Sequence, residues 1–529
     1  MAMTLPLFLL GLGNRDIWIP LEARYALVAR EMWDEGHWIL PHLGGQVYPD
    51  KPPLLFWAIV LCSSVASGVT EWTARLPSAL AAVSLCLMIW RMGMQLFAPD
   101  AGVLAALVLA TGAGFFWSSR QALPDMLLTL WTTGASWAFW EWLVVKHRIG
   151  APMAGVCMAL ATLTKGPVGF LLPSLATLVY FTIRGEWRRL QPRDVMLCVG
   201  IFLGVTLAWY LPAIWQGGAA YVQATLVHHS LQRYVNAWEH KAPWYFYLWA
   251  FPAEFLPWTL FLPPALIWSL RHCRQGAREG WWFALCWLVT ILLFFSISTG
   301  KRDIYILPAY PAAALLVSAL WSRQWAHQMA RPRPWMLRLP ALMLAVGLWG
   351  LAGGLWAAVE GLLPSKSTLL LPDAPEMRVW IGILLVLGGI VVASAAIAPH
   401  PRLVFGSILG CTWLAMLVAS TWIYTPQFNR HYPIKAFAAA VRARVEPSRP
   451  LSLCGPMNDL AVRFNVGRFL PALLDDAEIF RYLATEGEVF CVIDLAHYRR
   501  LSEQAGHRLP VLARQDFDRS TLLLISNRP

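Results

Sequence analysis

The sequence predicts a mainly α-helical polytopic membrane protein that ends in a small α/β domain. Three observations lead to this fold class: an apolar composition, a series of long apolar stretches, and a change to mixed polar and apolar sequence near the C-terminus. Of 529 residues, 58% are hydrophobic and 14% are charged, and the mean hydropathy is +0.52. Soluble domains carry about 25% charged residues. Lipid is therefore the predicted solvent for most of the chain.

Apolar stretches that approach the length of a transmembrane helix recur along most of the chain. Such a helix needs roughly 17–25 apolar residues. The stretches are 1–13, 76–97, 102–119, 125–145, 151–164, 166–183, 194–215, 244–270, 281–299, 303–321, 335–361, 378–397 and 402–424. We expect about thirteen transmembrane helices, of which the first is the shortest.

Segment 53–70 is also apolar, but the charge pattern favours a helix on the membrane surface. When this segment is not counted as a span, the short basic loops all fall on one side of the membrane. These loops carry Arg91, Lys146, Arg148, Arg184, Arg188, Arg189, Arg193, Arg271, Arg274, Arg278, Arg323, Arg331, Arg333, Arg338 and Arg402. Basic loops remain cytoplasmic. The N-terminus is then predicted to be cytoplasmic, and residues 14–75 and everything after about 425 periplasmic.

The composition changes after about residue 430. Short apolar runs that resemble strands alternate there with helical patterns: 451–455, 488–495 and 521–527 with 434–445, 457–466 and 476–486. This alternation predicts a small α/β domain. We therefore expect a transmembrane domain over 1–428, whose first periplasmic loop (14–75) holds juxtamembrane helices, and a periplasmic domain over 429–529. No phosphate-binding glycine loop is present, so no nucleotide cofactor is expected.

The net charge and the cysteines exclude two further classes. The formal charge is +12, but the basic residues lie in short stretches between apolar segments, where they orient the protein in the membrane rather than bind nucleic acid. The nine cysteines show no CxxC spacing. No disulfide framework and no cysteine-based metal site is predicted.

Ionisable residues on the predicted outer side are the candidates for chemistry. Asp125 stands at the entrance to a span, where it either stabilises the helix through the macrodipole or binds a cation, orients an acceptor or accepts a proton. Lys51, Lys165 and Lys301 are basic residues on that side. They either extend to the headgroup layer, or together bind a phosphate at that level. His240 is either a hydrogen-bonded structural residue or, with a carboxylate, a ligand of a divalent metal.

The first outer loop is unusually polar for a segment between membrane spans. In EARYALVAREM, Tyr25, Val28 and Met32 recur at helical spacing, and Arg24 and Glu31 lie near the opposite face. An amphipathic surface helix explains this pattern. A binding loop explains it as well, since long loops commonly carry function.

The order of six short motifs resembles a known family. They are ARYALVAREM, a glycine-rich turn leading to YPDKPPLLFW, RQALPDMLL, LTKGPVGFLLP, HKAPWYFY and GKRDIYILP. The sequence resembles the aminoarabinose transferases, which are membrane glycosyltransferases with the C-type fold and are related to the protein O-mannosyltransferases. Enzymes of this kind take a sugar from a polyprenyl-phosphate carrier and pass it to an acceptor at the outer face of the membrane.

The resemblance implies roles for individual residues. The positions that match carrier-phosphate ligands are Arg24, Tyr25, Tyr48, Lys51, Lys165 and Tyr305, and Asp125 matches an acidic position that is important for activity. A zinc ion is implied at Asp50 and His240.

One position departs from the family pattern. The motif Asp-Glu-x-Arg-Tyr reads Leu21-Glu22 at its acidic pair. Glycosyl transfer needs cations for the departing phosphate and a base near the acceptor oxygen. We expect Glu22 to be that base, with Asp16 and Asp125 as substitutes.

The expected function is transfer of a sugar from a polyprenyl-phosphate donor to a lipid A-type glycolipid, another glycan or a protein, with inversion by analogy with the family. The expected location is the bacterial inner membrane. Two alternatives stay open: a transporter or flippase of an anionic lipid, and a catalytically weakened lipid-binding relative, which the Leu21 change favours. Ionisable residues that cluster at one membrane interface count against the transporter.

Overall fold

A computed structural model describes residues 4–18, 20–185, 187, 190–223, 241–274, 279–325, 335–360, 375–398, 400–457, 459–506, 508–517 and 520–528. The chain is mainly helical. The helices up to residue 431 are α1 (Thr4–Leu9), α2 (Pro20–Glu35), α3 (Leu54–Ser63), α4 (Glu71–Leu96), α5 (Pro99–Ala110), α6 (Ala113–Ser119), α7 (Asp125–Trp140), α8 (Gly150–Lys165), α9 (Val168–Arg184), α10 (Pro192–Val222), α11 (Phe246–Glu254), α12 (Leu262–Arg274), α13 (Glu279–Ile297), α14 (Tyr310–Trp325), α15 (Trp335–Val359), α16 (Pro375–Ile397), α17 (Pro401–Val418) and α18 (Thr425–His431). A 3₁₀ helix, Asp303–Ala309, precedes α14.

Within these described ranges, seven helical segments are long and apolar enough to cross a membrane, and up to nine if each of two bent helix pairs is one span. The bent pairs are Pro99–Ala110 with Ala113–Ser119, at 68°, and Phe246–Glu254 with Trp258–Arg271, at 112°. The chain is thus a multi-span membrane protein, but the expected count of about thirteen is not confirmed.

The difference in count comes from short helices in predicted spans. Helices α7, α8 and α9 have 16, 16 and 17 residues. Helix α7 is followed by a π-helical turn, Glu141–Val145. Lys146, with a left-handed φ of 64°, ends this turn, and Gly166, with φ of 82°, follows the end of α8. In segment 1–13, α1 has only six residues.

The surface helix predicted in segment 53–70 corresponds to α3. This helix has ten residues and is about 15 Å long at 1.5 Å per residue. The hydrocarbon core is about 30 Å thick. Helix α3 is therefore too short to cross it.

The chain folds into two compact units. The first, here the helical unit, comprises 1–10, 49–55 and 77–423; the second, here the mixed unit, comprises 11–48, 56–76 and 424–529. The predicted division at residue 428 stays a prediction.

The helical unit places three elements of the candidate site together. Helix α7 packs against α8 and against the 3₁₀ helix Asp303–Ala309, and α8 packs against α10. Aromatic residues fill much of the interior: Trp258, Trp287 and Trp321 are buried. The buried indole of Trp258 donates a hydrogen bond from Nε1 to Thr111 Oγ1 at 2.9 Å, which satisfies its polar group in an apolar interior.

The mixed unit contains a hairpin, β1 (His42–Leu43) with β2 (Gln46–Val47), and a five-stranded sheet. The other elements of this unit are α19 (Ile434–Arg444), β3 (Leu451–Cys454), α20 (Asp459–Val466), β4 (Ala472–Leu473), α21 (Asp476–Leu483), β5 (Phe490–Asp494), α22 (Leu495–Ala505), β6 (Val511–Asp516) and β7 (Thr521–Ser526). The sheet order is β4-β3-β5-β7-β6, with β3 parallel to β4 and β5, and β7 antiparallel to β5 and β6.

Strands β3, β5 and β7 lie at the three predicted strand runs, and they are the central strands of the sheet. Strands β4 and β6 lie at its edges and were not predicted. Strand β6 reads VLARQD, half of it polar. An edge strand has fewer buried positions and so gives a weaker apolar pattern.

The prediction that the cysteines indicate no disulfide framework needs a correction. Cys454 on β3 and Cys491 on β5 form a disulfide, with a Cα–Cα separation of 6.1 Å. Both are fully buried in the core of the sheet. The sequence separation of 37 residues gave no recognisable spacing, because the pairing depends on the parallel register of β3 and β5.

Candidate functional site

The site in the helical unit begins with an ion pair between Asp125 and Lys165. Asp125 opens α7 after Pro124, and Lys165 is the last residue of α8. The Lys165 ammonium donates to Asp125 Oδ1, and it lies 4.3 Å from the ring centroid of Tyr305. Two antiparallel helices and a 3₁₀ turn thus bring a carboxylate, an ammonium and a phenol together from distant parts of the sequence.

Lys301 lies in the same turn region as Tyr305. It is only 5% exposed, and its ammonium donates to the carbonyl oxygens of Ser298 and of Ala242, the latter at 3.2 Å. Burial lowers the pKa of Lys301. The loop conformation therefore holds this cation in place.

Asp50 and Lys51 also belong to the helical unit. Lys51 Nζ donates to the backbone carbonyl oxygen of Asp50 at 2.9 Å, and both residues are half-buried. His240, the implied partner of Asp50 in a zinc site, lies outside the described residues. The part of the chain that the structure describes contains no group of three His, Cys, Asp or Glu side chains suited to a metal. The described residues thus give no support to a zinc site.

Glu22, in the mixed unit, is enclosed by two arginines. It is 1% exposed. Arg15 Nη2 lies 3.0 and 2.9 Å from its two carboxylate oxygens, and Arg75 donates from Nε at 2.7 Å and from Nη2 at 3.0 Å. Arg75 Nη1 also donates to the carbonyl oxygens of Leu12 and Arg15. Both carboxylate oxygens of Glu22 therefore have charged donors.

Sequence reasoning missed Arg15 and Arg75. The available signal was Arg75 itself, because a charge near the start of an apolar helix needs a partner. The sequence could not identify that partner, which lies 53 residues away.

Asp16 lies in the loop before α2 and has a different partner. Its carboxylate is 3.3 Å from Lys435 Nζ, which also contacts Glu71 at 3.2 Å, and its backbone N–H donates to Asn429 Oδ1. Burial raises the pKa of Asp16, and Lys435 acts in the opposite direction.

Tyr25 and Tyr48 both contact one ring in the mixed unit. Each ring centroid lies 6.2 Å from that of Phe56, and both tyrosines are 6% exposed. Arg24, beside Tyr25 on α2, is half-buried. The implied phosphate ligands thus fall into two sets. The helical unit holds Lys51, Lys165, Lys301 and Tyr305; the mixed unit holds Arg24, Tyr25 and Tyr48.

Residue Glu254, at the end of α11, was also missed. It lines a cavity of about 480 Å³ in the helical unit, together with Lys301, Arg302 and Asp303. No motif marks it in the sequence, and its position becomes apparent only from the fold around the cavity.

Known proteins resemble this chain in sequence and in fold. Residues 50–215 match the family described as dolichyl-phosphate-mannose-protein mannosyltransferase. The undecaprenyl phosphate-alpha-4-amino-4-deoxy-L-arabinose arabinosyl transferase of Enterobacter sp. (strain 638) is 29% identical over 62% of this chain and 59% of its own length. The protein of the same name from Pseudomonas paraeruginosa (strain DSM 24068 / PA7) is 32% identical over 64% of this chain and 62% of its own. The chain therefore spans about three-fifths of the length of these curated relatives.

The crystal structure of ArnT from Cupriavidus metallidurans bound to undecaprenyl phosphate matches with a TM-score of 0.82 and 21% sequence identity, over 99% of this chain and 97% of that chain. The chain has the fold of that protein. The resemblance to the aminoarabinose transferases and the protein mannosyltransferases, which the six motifs indicated, is confirmed.

Proposed function

We propose that this protein is a glycosyltransferase that moves a sugar from a polyprenyl-phosphate carrier to an acceptor at the periplasmic face of the bacterial inner membrane. The acceptor class is a lipid A-type glycolipid, another glycan or a protein. The observation that carries the proposal is the cluster of Asp125, Lys165 and Tyr305, in a chain with the fold of an undecaprenyl-phosphate-binding protein.

The reaction needs a cation where the phosphate departs. The acceptor oxygen forms a bond to the anomeric carbon, the bond from that carbon to the phosphate oxygen breaks, and the polyprenyl phosphate leaves with the electron pair. Lys165 supplies a positive charge on a side chain that is 15% exposed, and a charge fixed in a largely buried site stabilises a developing anion more strongly than it would in water. Arg24, Tyr25, Tyr48, Lys51, Lys301 and Tyr305 are the further proposed phosphate ligands. With a single displacement the transfer inverts the anomeric configuration.

The acceptor hydroxyl proton needs a base, and the geometry favours Asp125 among the three candidates. Both oxygens of Glu22 already accept hydrogen bonds from two guanidinium groups, which gives it a positioning role. Asp125 is paired with Lys165. When the donor phosphate binds Lys165, that ammonium is shared with a second anion, and Asp125 Oδ1 can then accept the hydrogen bond of the acceptor hydroxyl. Asp16, paired with Lys435, is the remaining alternative.

No step of the proposed reaction passes through a metal. Zinc at Asp50 and His240 remains an implication of the family, and the described residues supply no ligand cluster for it.

The proposed topology has about thirteen spans, a cytoplasmic N-terminus and a periplasmic C-terminal α/β domain. The disulfide between Cys454 and Cys491 supports the placement of that domain, because disulfides persist in oxidising compartments such as the periplasm. Non-reducing peptide mapping of protein from intact cells should recover the linked pair. Fully reduced thiols at both positions would contradict the placement.

The function is tested with the full chain in nanodiscs. The donors are undecaprenyl-phosphate-linked sugars, including the 4-amino-4-deoxy-L-arabinose that appears in the names of the curated relatives, and the acceptors are membrane lipid and protein fractions. We expect labelled sugar to appear in one acceptor fraction. Lys165→Ala should lower kcat/KM by roughly 10²–10³-fold, as loss of a transition-state electrostatic contact does.

Lys146→Asn is the matched control. It removes an exposed lysine at a positive φ, a conformation that asparagine accepts, and should leave transfer unchanged. Tight carrier binding without transfer would instead indicate the lipid-binding relative, and Leu21→Asp would then test whether the missing carboxylate restores activity. Movement of the carrier across the bilayer without transfer would indicate a flippase.

A further inference from the structure

Besides Lys301, the cavity beside Glu254 carries groups that the proposed reaction does not use. Its volume is about 480 Å³, and its lining includes the aromatic side chains Phe246 and Trp249, the acid Glu254 and the basic Lys301 and Arg302. Every lining residue belongs to the helical unit.

The Glu254 carboxylate is held against the backbone of α6. A Cβ placed on Gly114 would lie 2.1 Å from Glu254 Oε2 and 3.0 Å from Glu254 Cβ. The absence of a side chain at Gly114 therefore makes room for this carboxylate, which is half-buried. Within the described part of the chain, Glu254 takes part in no hydrogen bond and no ion pair. A partly desolvated carboxylate of this kind gains most from a cationic partner.

Aromatic rings line the same cavity as Glu254. The rings of Phe246 and Trp249 lie 4.8 Å apart in an edge-to-face arrangement, and Trp249 is exposed. A carboxylate beside aromatic faces is the chemistry that recognises an ammonium group, through charge and through the ring quadrupole. Carboxylates or aromatic rings alone would select less strictly for a cation.

Basic groups line the same cavity, so it suits a ligand with both charges. Lys301 and Arg302 provide positive charge for a phosphate. The cavity also adjoins the proposed reaction site along the chain: Tyr247 Oη donates to the Arg302 carbonyl oxygen at 2.9 Å, and Tyr305, three residues later, contacts Lys165.

We infer that Glu254 is a specificity-determining residue that binds the primary ammonium group of a ligand that also carries a phosphate. An amino sugar on a polyprenyl phosphate has this chemistry, and the assignment of that ligand rests on the proposed function. Phosphatidylethanolamine has the same two groups, so the experiment separates the two sources.

The test compares two donors that differ in one group: undecaprenyl-phosphate-linked 4-amino-4-deoxy-L-arabinose and the corresponding sugar with a hydroxyl at that position. The full chain is placed in nanodiscs without phosphatidylethanolamine, and both kcat/KM for transfer and Kd for each donor are measured. The wild type should prefer the amino sugar at least tenfold. Glu254→Gln should bring this ratio close to one and change the values for the hydroxyl sugar less than threefold.

Gly114→Ala provides a second variant that removes no charge. The added methyl group displaces the Glu254 carboxylate, so the preference should fall as in Glu254→Gln. Gly347→Ala is its control, because nothing lies within 4 Å of a Cβ at that glycine. Glu141→Gln, at a half-buried glutamate of another turn, controls for the loss of one negative charge. Both controls should keep the wild-type preference.

The outcomes separate this inference from the proposed function. If the wild type transfers sugar and Glu254→Gln lowers kcat/KM equally for both donors, the inference about Glu254 is overturned and the proposed function stands. A second outcome is that the wild type transfers no sugar but binds the amino-sugar donor more tightly than the hydroxyl donor, and that Glu254→Gln removes this difference in Kd. This result supports the inference about Glu254 and overturns the proposed function. Binding of phosphatidylethanolamine is measured separately, by adding this lipid to nanodiscs that lack the donors. If Glu254→Gln leaves the donor preference intact but weakens binding of phosphatidylethanolamine, the ammonium comes from the lipid and the amino-sugar assignment is wrong.

Discussion

Two buried carboxylates, one in each compact unit, differ in how many cations contact them. Glu22 in the mixed unit is held by Arg15 and Arg75, whereas Asp125 in the helical unit is held by Lys165. Guanidinium groups form fixed two-pronged contacts, and an ammonium on a flexible stem is a point charge that can move to another anion. We therefore expect the Glu22 carboxylate to stabilise the fold and the Asp125 carboxylate to be available for reaction.

This comparison predicts its largest effect for Asp125→Asn. Removal of a general base lowers rates by about 10²–10⁴-fold, so kcat should fall by this factor while the Kd for carrier changes little. The measurement is single-turnover transfer beside equilibrium binding. Glu22→Gln serves as the comparison. We expect it to lower the free energy of unfolding and to change kcat little. Full activity in Asp125→Asn would move the assignment of the base to Asp16.

The next effect is expected for Arg75→Ala. Arg75 is fully buried, and its removal leaves the Glu22 carboxylate without half of its charged donors. Breaking a buried ion pair costs roughly 3–5 kcal/mol, so the free energy of unfolding should fall by about this amount. Arg91→Ala, an exposed arginine on the same helix, is the control and should change stability little. Denaturant titration of the full chain checks both. Similar denaturation midpoints for Arg75→Ala and Arg91→Ala would contradict the role of Arg75 in holding Glu22.

A smaller effect is expected for Tyr305→Leu. Loss of a cation–π contact costs about 0.5–2 kcal/mol, which should raise the KM for the donor because Lys165 loses its ring partner at 4.3 Å. Tyr305→Phe keeps a ring and should lie between this variant and the wild type. If Tyr305→Phe is as impaired as Tyr305→Leu, the hydroxyl acts as a phosphate ligand and the ring contact matters less.

The smallest effect is a pH dependence at Asp16. Burial raises its folded-state pKa above the ordinary value of 3.8, so the folded state binds a proton more tightly than the unfolded state does. Its contribution to stability therefore falls as pH rises from about that value through the folded-state pKa. As pH rises through this range, Asp16→Asn should therefore become increasingly stable relative to the wild type, as measured by the free energy of unfolding. A difference that is constant with pH would contradict the shift.

The sequence-based predictions differ in accuracy for reasons that individual residues make clear. Apolar runs located the central strands, because β5 and β7 are buried along their length. The edge strand β6 was not predicted, because exposed strand positions tolerate charged residues and so weaken the apolar pattern. The disulfide was not predicted, because only the parallel pairing of β3 with β5 brings Cys454 close to Cys491.

For the candidate site, the sequence identified charges in apolar surroundings, such as Lys165, but not the contacts that determine their roles. The Asp125–Lys165 pair spans 40 residues and the Glu22–Arg75 pair spans 53. Local patterns do not encode which distant side chains meet. Glu254 illustrates the limit most clearly, because its significance depends on the space left by Gly114.

Composition and hydropathy alone determined that this chain lies in a membrane, because the free-energy cost of burying charge in lipid restricts where charged residues occur. Motif order alone indicated the resemblance to membrane glycosyltransferases. Only the tertiary structure decided which carboxylate is clamped and which is paired with a single movable ammonium. That distinction depends on the number and geometry of donors around each oxygen, and packing rather than local sequence sets both.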